Sequence, residues 1–139
     1  MILLDTNIFS EGMRASPEPH VIAWLNDQDT RSVYVSSVTI GEICYGLAAM
    51  PAGRRRRLLE SRFETVLQEG FAHRVLNLDE AAARLYGGIM SGRRSAGRPI
   101  SVPDGQIAAI ARTNSCALAT RNIRDFEDCG IDLINPFDA

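Results

Sequence analysis

This sequence of 139 residues lacks the segments and cysteine patterns that mark several classes of protein. No apolar run approaches the roughly 18 residues that a membrane helix needs, and the opening MILL is short and has no basic flank. We therefore expect no membrane span and no signal peptide, and a cytoplasmic location. The three cysteines are widely spaced and form no C-x-x-C pair, which argues against a disulfide framework and against a zinc site.

Common catalytic and nucleotide-binding motifs are also absent. The sequence has no G-x-x-x-x-G-K-[ST] and no G-x-G-x-x-G motif, which argues against the common kinds of nucleotide-binding site. His20 and His73 have no serine or cysteine motif beside them, so we interpret them as surface residues. An aspartyl-phosphate enzyme of the haloacid dehalogenase kind would need a second aspartate two residues after Asp5, where Asn7 stands.

Lysine does not occur, and all fifteen basic residues are arginines, in a chain of formal net charge -2. A negative net charge normally argues against a nucleic-acid partner. The arginines are nevertheless clustered: one group is Arg54, Arg55, Arg56, Arg57 and Arg62, and the other is Arg84, Arg93, Arg94 and Arg98. Each group is either a solvated helix face or a surface that approaches phosphates.

The order of elements predicts an α/β fold. Apolar or β-branched runs predict strands at 2–4, 32–38, 74–78, 116–120 and 132–137, the last closed by Pro136. Helical spacing and capping signals predict helices at about 19–27, 39–50, 53–68, 79–92 and 103–114. Strands that alternate with helices at this spacing form a parallel sheet. With no repeat or linker-like stretch, we expect one domain over residues 1–139.

Three carboxylates and one amide fall at predicted strand ends and helix starts. Asp5 follows the first strand, and Glu42 lies in the first turn of the helix predicted after the second. Asp104 opens the helix before the CALAT strand, and Asn122 follows that strand. Each carboxylate also has an ordinary interpretation: Asp5 as an N-cap, Glu42 as part of a Thr39-x-x-Glu42 capping box, and Asp104 as a charge that favours a helix N-terminus.

Their combination suggests a metal site. Parallel strands end at one edge of a sheet, so these side chains are expected to converge there. Carboxylates that lie close together repel one another unless protons or a cation neutralise them, and an all-oxygen cluster suits a hard divalent cation. Mg²⁺ or Mn²⁺ is therefore implied. Asp104 lies on the side of its helix that carries Ile107 and Ala111, which points it toward the sheet.

Four sequence blocks resemble a known family. The blocks MILLDTNIFSE, VSSVTIGEICYG, SVPDGQIAAIA and ALATRNIRDF, with a late INPF, are similar in order and spacing to the PIN-domain ribonucleases, specifically to VapC-type toxins of the FitB-like branch. The resemblance covers nearly the whole chain. It implies a PIN-like domain with a central parallel β-sheet flanked by helices, and an endoribonuclease that needs Mg²⁺ or Mn²⁺ in an acidic pocket.

The resemblance also implies partners: a homodimer, RNA as substrate, and a small cognate antitoxin that blocks the pocket and is itself the contact to operator DNA. Asp5, Glu42 and Asp104 match three family acids. The fourth position differs, because relatives often have aspartate in T-R-D where this chain has Asn122. Asp125 is the nearby carboxylate that could replace that charge, and we predict Asn122 rather than Asp125 as the pocket residue.

The roles that follow are expectations. Asp5 and Asp104 would bind the metal directly or through water, and Asn122 would orient a water or the metal. Glu42 would either bind a second ion or take a proton from water, while the hydroxyls of Thr6 and Thr120 assist. Two other functions stay open: a non-cleaving PIN-like module that works with an antitoxin in DNA-bound autorepression, and a housekeeping RNA-processing nuclease. The RNA target is not predicted.

Overall fold

A computed structural model describes residues 1–138, so Ala139, the last residue of the predicted domain, lies outside the described part. Five parallel strands form one sheet in the order β3-β2-β1-β4-β5. They are β1 (Ile2–Leu4), β2 (Val33–Ser36), β3 (Val75–Leu76), β4 (Ala117–Ala119) and β5 (Leu133–Ile134). Helices flank this sheet, and the predicted parallel α/β architecture is confirmed.

The α-helices are α1 (Thr6–Phe9), α2 (Pro19–Asn26), α3 (Ser37–Ala49), α4 (Arg54–Phe71), α5 (Glu80–Ser95) and α6 (Val102–Thr113). Short 3₁₀ helices cover Ser10–Met13, Thr30–Ser32, Ile123–Phe126 and Pro136–Asp138. Within residues 1–138, no helix combines the length and the apolar character that crossing a membrane requires.

The central strand β1 is apolar because both of its faces are covered. Leu3 packs into a core with α5 and α6, whereas Leu4 packs into a second core with α1 to α4. Both side chains are almost completely buried. A short run without polar alternation is typical of such a strand. Leu4 pairs with Val35 and Ala119 on the neighbouring strands, so the residues that follow all three strands meet at one edge.

One predicted boundary is wrong and changes the setting of Glu42. Strand β2 ends at Ser36, and α3 begins at Ser37 rather than at Thr39. The reason is that the Ser36 hydroxyl accepts a hydrogen bond from the Thr39 backbone N–H at 3.1 Å and caps the helix. The Thr39-x-x-Glu42 capping box is therefore not formed, and Glu42 lies in the second turn of α3.

Candidate acidic site at the sheet edge

Asp5 is both a helix cap and a buried group at the end of β1. Its Oδ1 accepts a hydrogen bond from the Thr6 backbone N–H at 2.8 Å, which caps α1. Its Oδ2 accepts a hydrogen bond from the Thr120 hydroxyl, also at 2.8 Å. Asp5 is only 5% exposed. The two interpretations of this residue are therefore compatible, because one oxygen serves the cap and the other faces the neighbouring strand.

The surroundings of Asp5 disfavour its negative charge. Burial raises the pKa of Asp5 from 3.8 to about 6, against the opposing effect of the hydrogen bonds from Thr120 and Thr6. The charges of Asp104 and Glu42 raise this pKa further. A cap on an open surface lacks this burial, and the hydrogen bond that it accepts would lower its pKa instead. Perturbed carboxyl groups of this kind are common at functional sites.

Glu42 reaches this edge through a chain of hydroxyl groups. The Thr6 hydroxyl donates to Glu42 Oε1 at 2.7 Å and lies 3.0 Å from the Thr39 hydroxyl. Because the Thr6 proton is used on Glu42, Thr39 must donate to Thr6, and Ser36 donates to Thr39 at 3.3 Å. Ser36 and Thr39 are completely buried. In the sequence, the run S-S-V-T from the last residue of β2 onward is the signal for these supporting hydroxyl groups.

Asp104 lies in the first turn of α6, behind the cap formed by Ser101, whose hydroxyl accepts from the Asp104 N–H at 3.3 Å. Its side chain is half-buried. Burial raises the pKa of Asp104, and the charges of Asp125 and Glu42 add to this effect while the Ser101 hydrogen bond opposes it. The fold thus brings Asp5, Glu42 and Asp104 within range of one another's charge.

The segment after β4 places two further polar residues near the site. The Asn122 backbone N–H donates to the Thr120 hydroxyl at 3.0 Å. Asn122 is exposed and lines a surface cavity of about 460 Å³. Asp125, one 3₁₀ turn later, lines the same cavity and acts on the pKa of Asp104. Asp125 is therefore within range of the charge of Asp104, and the choice of Asn122 over Asp125 as the pocket residue stays a prediction.

The donor atoms suit a hard cation but do not enclose one. In the part of the chain that the structure describes, no three His, Cys, Asp or Glu side chains already group closely enough to hold an ion. The groups around Asp5 are carboxylate and hydroxyl oxygens. Mg²⁺ typically keeps several waters and binds through one or two carboxylates together with substrate phosphates. An open edge with two or three carboxylates therefore fits magnesium better than a closed protein cage would.

The two arginine clusters differ in their surroundings. Arg93 is 5% exposed and donates to the Glu127 carbonyl at 2.7 Å and to the Arg124 carbonyl at 3.3 Å. Arg98 forms an ion pair with Glu127 at 2.6 Å. These two arginines hold the chain after β4 in place, so they are poor candidates for contacts to RNA. Arg54, Arg55 and Arg57 on α4 are exposed.

The protein is an α/β domain with a short central parallel sheet and with buried and half-buried carboxylates at the carboxyl edge of that sheet. The chain belongs to the PIN-domain family, whose profile matches residues 2–131.

Individual relatives resemble the chain over its full length. It is 41% identical over 138 residues to the VapC ribonuclease Y4jK of Sinorhizobium fredii, covering 99% of both chains. It is 37% identical over 137 residues to the toxin FitB of Neisseria gonorrhoeae, again with 99% of both chains covered. A structure of FitAB bound to an IR36 DNA fragment matches with a TM-score of 0.90 and 37% identity, over 99% of this chain and 96% of that one.

Proposed function

We propose that the protein is a Mg²⁺- or Mn²⁺-dependent endoribonuclease that acts as the toxin of a toxin–antitoxin pair. The observation that carries this proposal is the buried Asp5, whose pKa is raised to about 6 beside Asp104 and Glu42. A divalent cation bound beside these carboxylates would offset their mutual repulsion and favour their charged forms. Similarity to the VapC ribonuclease Y4jK and to the toxin FitB supports the same class of activity.

In this proposal, Asp5 and Asp104 hold the cation directly or through water. A bound divalent cation lowers the pKa of a water molecule and offsets the charge that grows on the phosphate oxygens during hydrolysis. The Thr120 hydroxyl fixes one oxygen of Asp5, and the Thr6 N–H fixes the other. Both carboxylate oxygens are therefore oriented before substrate binds, which reduces the reorganisation that catalysis requires.

Glu42 is our candidate for the group that accepts a proton from the attacking water. The Thr6 hydroxyl occupies Oε1 of Glu42, which leaves Oε2 for that water. The buried hydroxyls of Thr39 and Ser36 keep Thr6 in the donating orientation toward Glu42. Asn122 has no charge, and its amide is suited to orienting a water molecule.

We also propose a cognate antitoxin as partner, contact to operator DNA only through that antitoxin, and a homodimer. The similarity to the DNA-bound FitAB structure supports a partner protein. The rival function is a PIN-like module that binds the antitoxin but does not cut. Retention of Asp5, Glu42 and Asp104 at one edge favours the nuclease. An antitoxin-like reading frame beside the gene would favour a toxin over a housekeeping processing nuclease.

The direct test is cleavage of RNA by the purified protein. We expect fragments to appear with Mg²⁺ or Mn²⁺, to stop with EDTA, and to return when the metal is restored in excess. Addition of the co-expressed antitoxin should suppress cleavage. Purified protein that binds RNA or antitoxin but leaves RNA intact at every metal concentration would support the non-cleaving module instead.

The fourth position gives a separate prediction. Asn122→Asp restores a negative charge next to Thr120, so we expect it to tighten binding of a second, weak metal ion. Asp125→Ala should change activity little if Asn122 is the pocket residue, as we predict. Metal titrations followed by Mn²⁺ binding and by cleavage compare the two variants. A large loss of activity in Asp125→Ala, with no change of metal binding in Asn122→Asp, would assign the role to Asp125.

A further inference from the structure

Arg121 is a fixed cation at the rim of the acidic site. It follows Thr120, the residue whose hydroxyl binds Asp5. Its guanidinium carbon lies 4.5 Å from the centroid of the Phe137 ring. Its backbone N–H donates to Asn7 Oδ1 at 3.3 Å, and its carbonyl accepts from the Asn135 side chain at 3.5 Å. The blocks DTN, TRN and INPF therefore meet at this one residue.

The charge of Arg121 is available to a ligand. None of the ion pairs within residues 1–138 includes Arg121, and the residue is exposed. The guanidinium carbon lies over the Phe137 ring, and a contact with the face of an aromatic ring does not use the N–H hydrogen bonds of an arginine. Arg98, in contrast, has both of its terminal guanidinium nitrogens engaged by carboxylates.

We propose that Arg121 binds a backbone phosphate of the RNA substrate beside the scissile phosphate. This proposal rests on the proposed ribonuclease function. An edge that carries several carboxylates repels a polyanion, so a cation at its rim is needed to hold the strand. Arginine binds phosphate oxygens through two parallel N–H bonds. A guanidinium that is already held by Phe137 loses less conformational entropy when it binds.

The adjoining cavity of about 460 Å³ has room for a phosphate group. Arg121, Asn122 and Arg124 supply side-chain donors on its wall, whereas the Asn135 amide already donates to the Arg121 carbonyl and to Asp138. Asp125 and Asp138 also line it, but the Asp138 carboxylate accepts a hydrogen bond from Asn135 at 3.1 Å. Arg121 and Asn122 directly follow Thr120 in the chain, and the Asn122 backbone N–H donates to the Thr120 hydroxyl that also binds Asp5, which favours a phosphate position on the side of the cavity near Asp5.

The test measures RNA binding without cleavage, in the full-length Asp104→Asn protein. A fluorescein-labelled single-stranded oligoribonucleotide of mixed sequence is titrated at several salt concentrations. We expect Arg121→Gln to weaken binding by about tenfold and to reduce the salt slope by about 0.7, the value for one lost phosphate contact on a single strand. Arg112→Gln is the matched control, because it removes the same charge beside the opposite end of β4. It should leave the slope unchanged.

Two more variants separate charge from orientation. Arg121→Lys keeps the charge, so it should restore the salt slope but only part of the affinity. Phe137→Leu should weaken binding at an unchanged slope, because the cation stays while its support is lost. Equal affinity and slope in Arg121→Gln and its parent would overturn the proposal. So would an Arg112→Gln effect as large as that of Arg121→Gln, or unchanged RNA binding together with weakened antitoxin binding.

The same measurements distinguish a failure of the Arg121 proposal from a failure of the proposed ribonuclease activity. If the wild-type protein never cleaves RNA but Arg121→Gln still weakens RNA binding and lowers the salt slope, the phosphate contact is supported and the nuclease is not. If the wild-type protein cleaves and Arg121→Gln binds and cleaves like wild type, the nuclease stands and the role of Arg121 is refuted. Melting temperatures of all variants identify any loss of folding.

Discussion

We expect Asp5→Asn and Asp104→Asn each to reduce RNA cleavage by about a thousandfold or more, while the protein stays folded. The amide keeps the size of the side chain and an oxygen that can accept from the Thr6 N–H, so the cap of α1 survives. It removes the negative charge that would hold a cation. Single-turnover cleavage of a labelled RNA with saturating Mg²⁺ measures the effect.

The matched control for these variants is Asp29→Asn. Asp29 also caps a short helix, accepting a hydrogen bond from the Arg31 N–H at 3.0 Å, but it precedes β2 at the opposite edge of the sheet. Asp29→Asn removes the charge of a capping residue that is remote from the site, so it should leave cleavage unchanged. Full-rate cleavage by both Asp5→Asn and Asp104→Asn would remove the acidic cluster from the mechanism.

The second large effect is on stability in EDTA. The folded state raises the pKa of Asp5 from 3.8 to about 6 and so holds this proton more tightly than the unfolded chain does. The contribution of Asp5 to stability is therefore fully present below pH 3.8 and is lost as the pH rises through about 6. The loss is on the order of 2–3 kcal/mol, at about 1.4 kcal/mol for each pKa unit.

Asp5→Asn should consequently raise the free energy of unfolding at pH 7 by on the order of 2–3 kcal/mol. It should also flatten the fall in stability between pH 4 and pH 6.5. Urea denaturation in EDTA at a series of pH values measures both effects. Asp29→Asn should show no such gain, because hydrogen bonds from Arg31 lower the pKa of Asp29 and its charge is favourable. An Asp5→Asn protein no more stable than wild type at pH 7 would mean that the buried charge is not costly.

Metal should change this comparison. A divalent cation that binds beside Asp5 favours the charged carboxylate and stabilises the folded state by mass action. We therefore expect Mg²⁺ to raise the stability of wild type more than that of Asp5→Asn. The gain in stability of the variant over wild type should then shrink as the Mg²⁺ concentration increases.

Much of the fold could be predicted from local patterns. ILL before Asp5 is uniformly apolar, and the structure shows why: Leu3 and Leu4 enter different cores on the two faces of the sheet. The alternation of strands with helices then predicts a parallel sheet, and such a sheet places the residues after β1 and β2 at the same edge as the start of α6, the helix that leads back to the beginning of β4. The convergence of Asp5, Glu42 and Asp104 follows from this geometry without any knowledge of side-chain contacts.

The remaining features depend on contacts between residues far apart in the chain. The predicted start of α3 is two residues too late because the β-branched Val38 extends the strand pattern to residue 38, whereas the Ser36 cap decides the boundary. The internal role of Arg93 depends on the Glu127 and Arg124 carbonyls, which are more than thirty positions later. Sequence spacing contains no information about such pairs, nor about the position of Arg121 over Phe137.

The measurement closest to the central claim is the chemistry of the newly formed RNA ends. A defined RNA is digested with the purified protein and Mg²⁺ in ¹⁸O-labelled water, and the product ends are weighed by mass spectrometry. Hydrolysis by an activated water predicts linear phosphate ends that contain one solvent oxygen, and predicts that they are absent with EDTA and with Asp104→Asn. Ends that are 2′,3′-cyclic phosphates, formed equally with EDTA and by Asp104→Asn, would contradict metal-dependent hydrolysis at this acidic site.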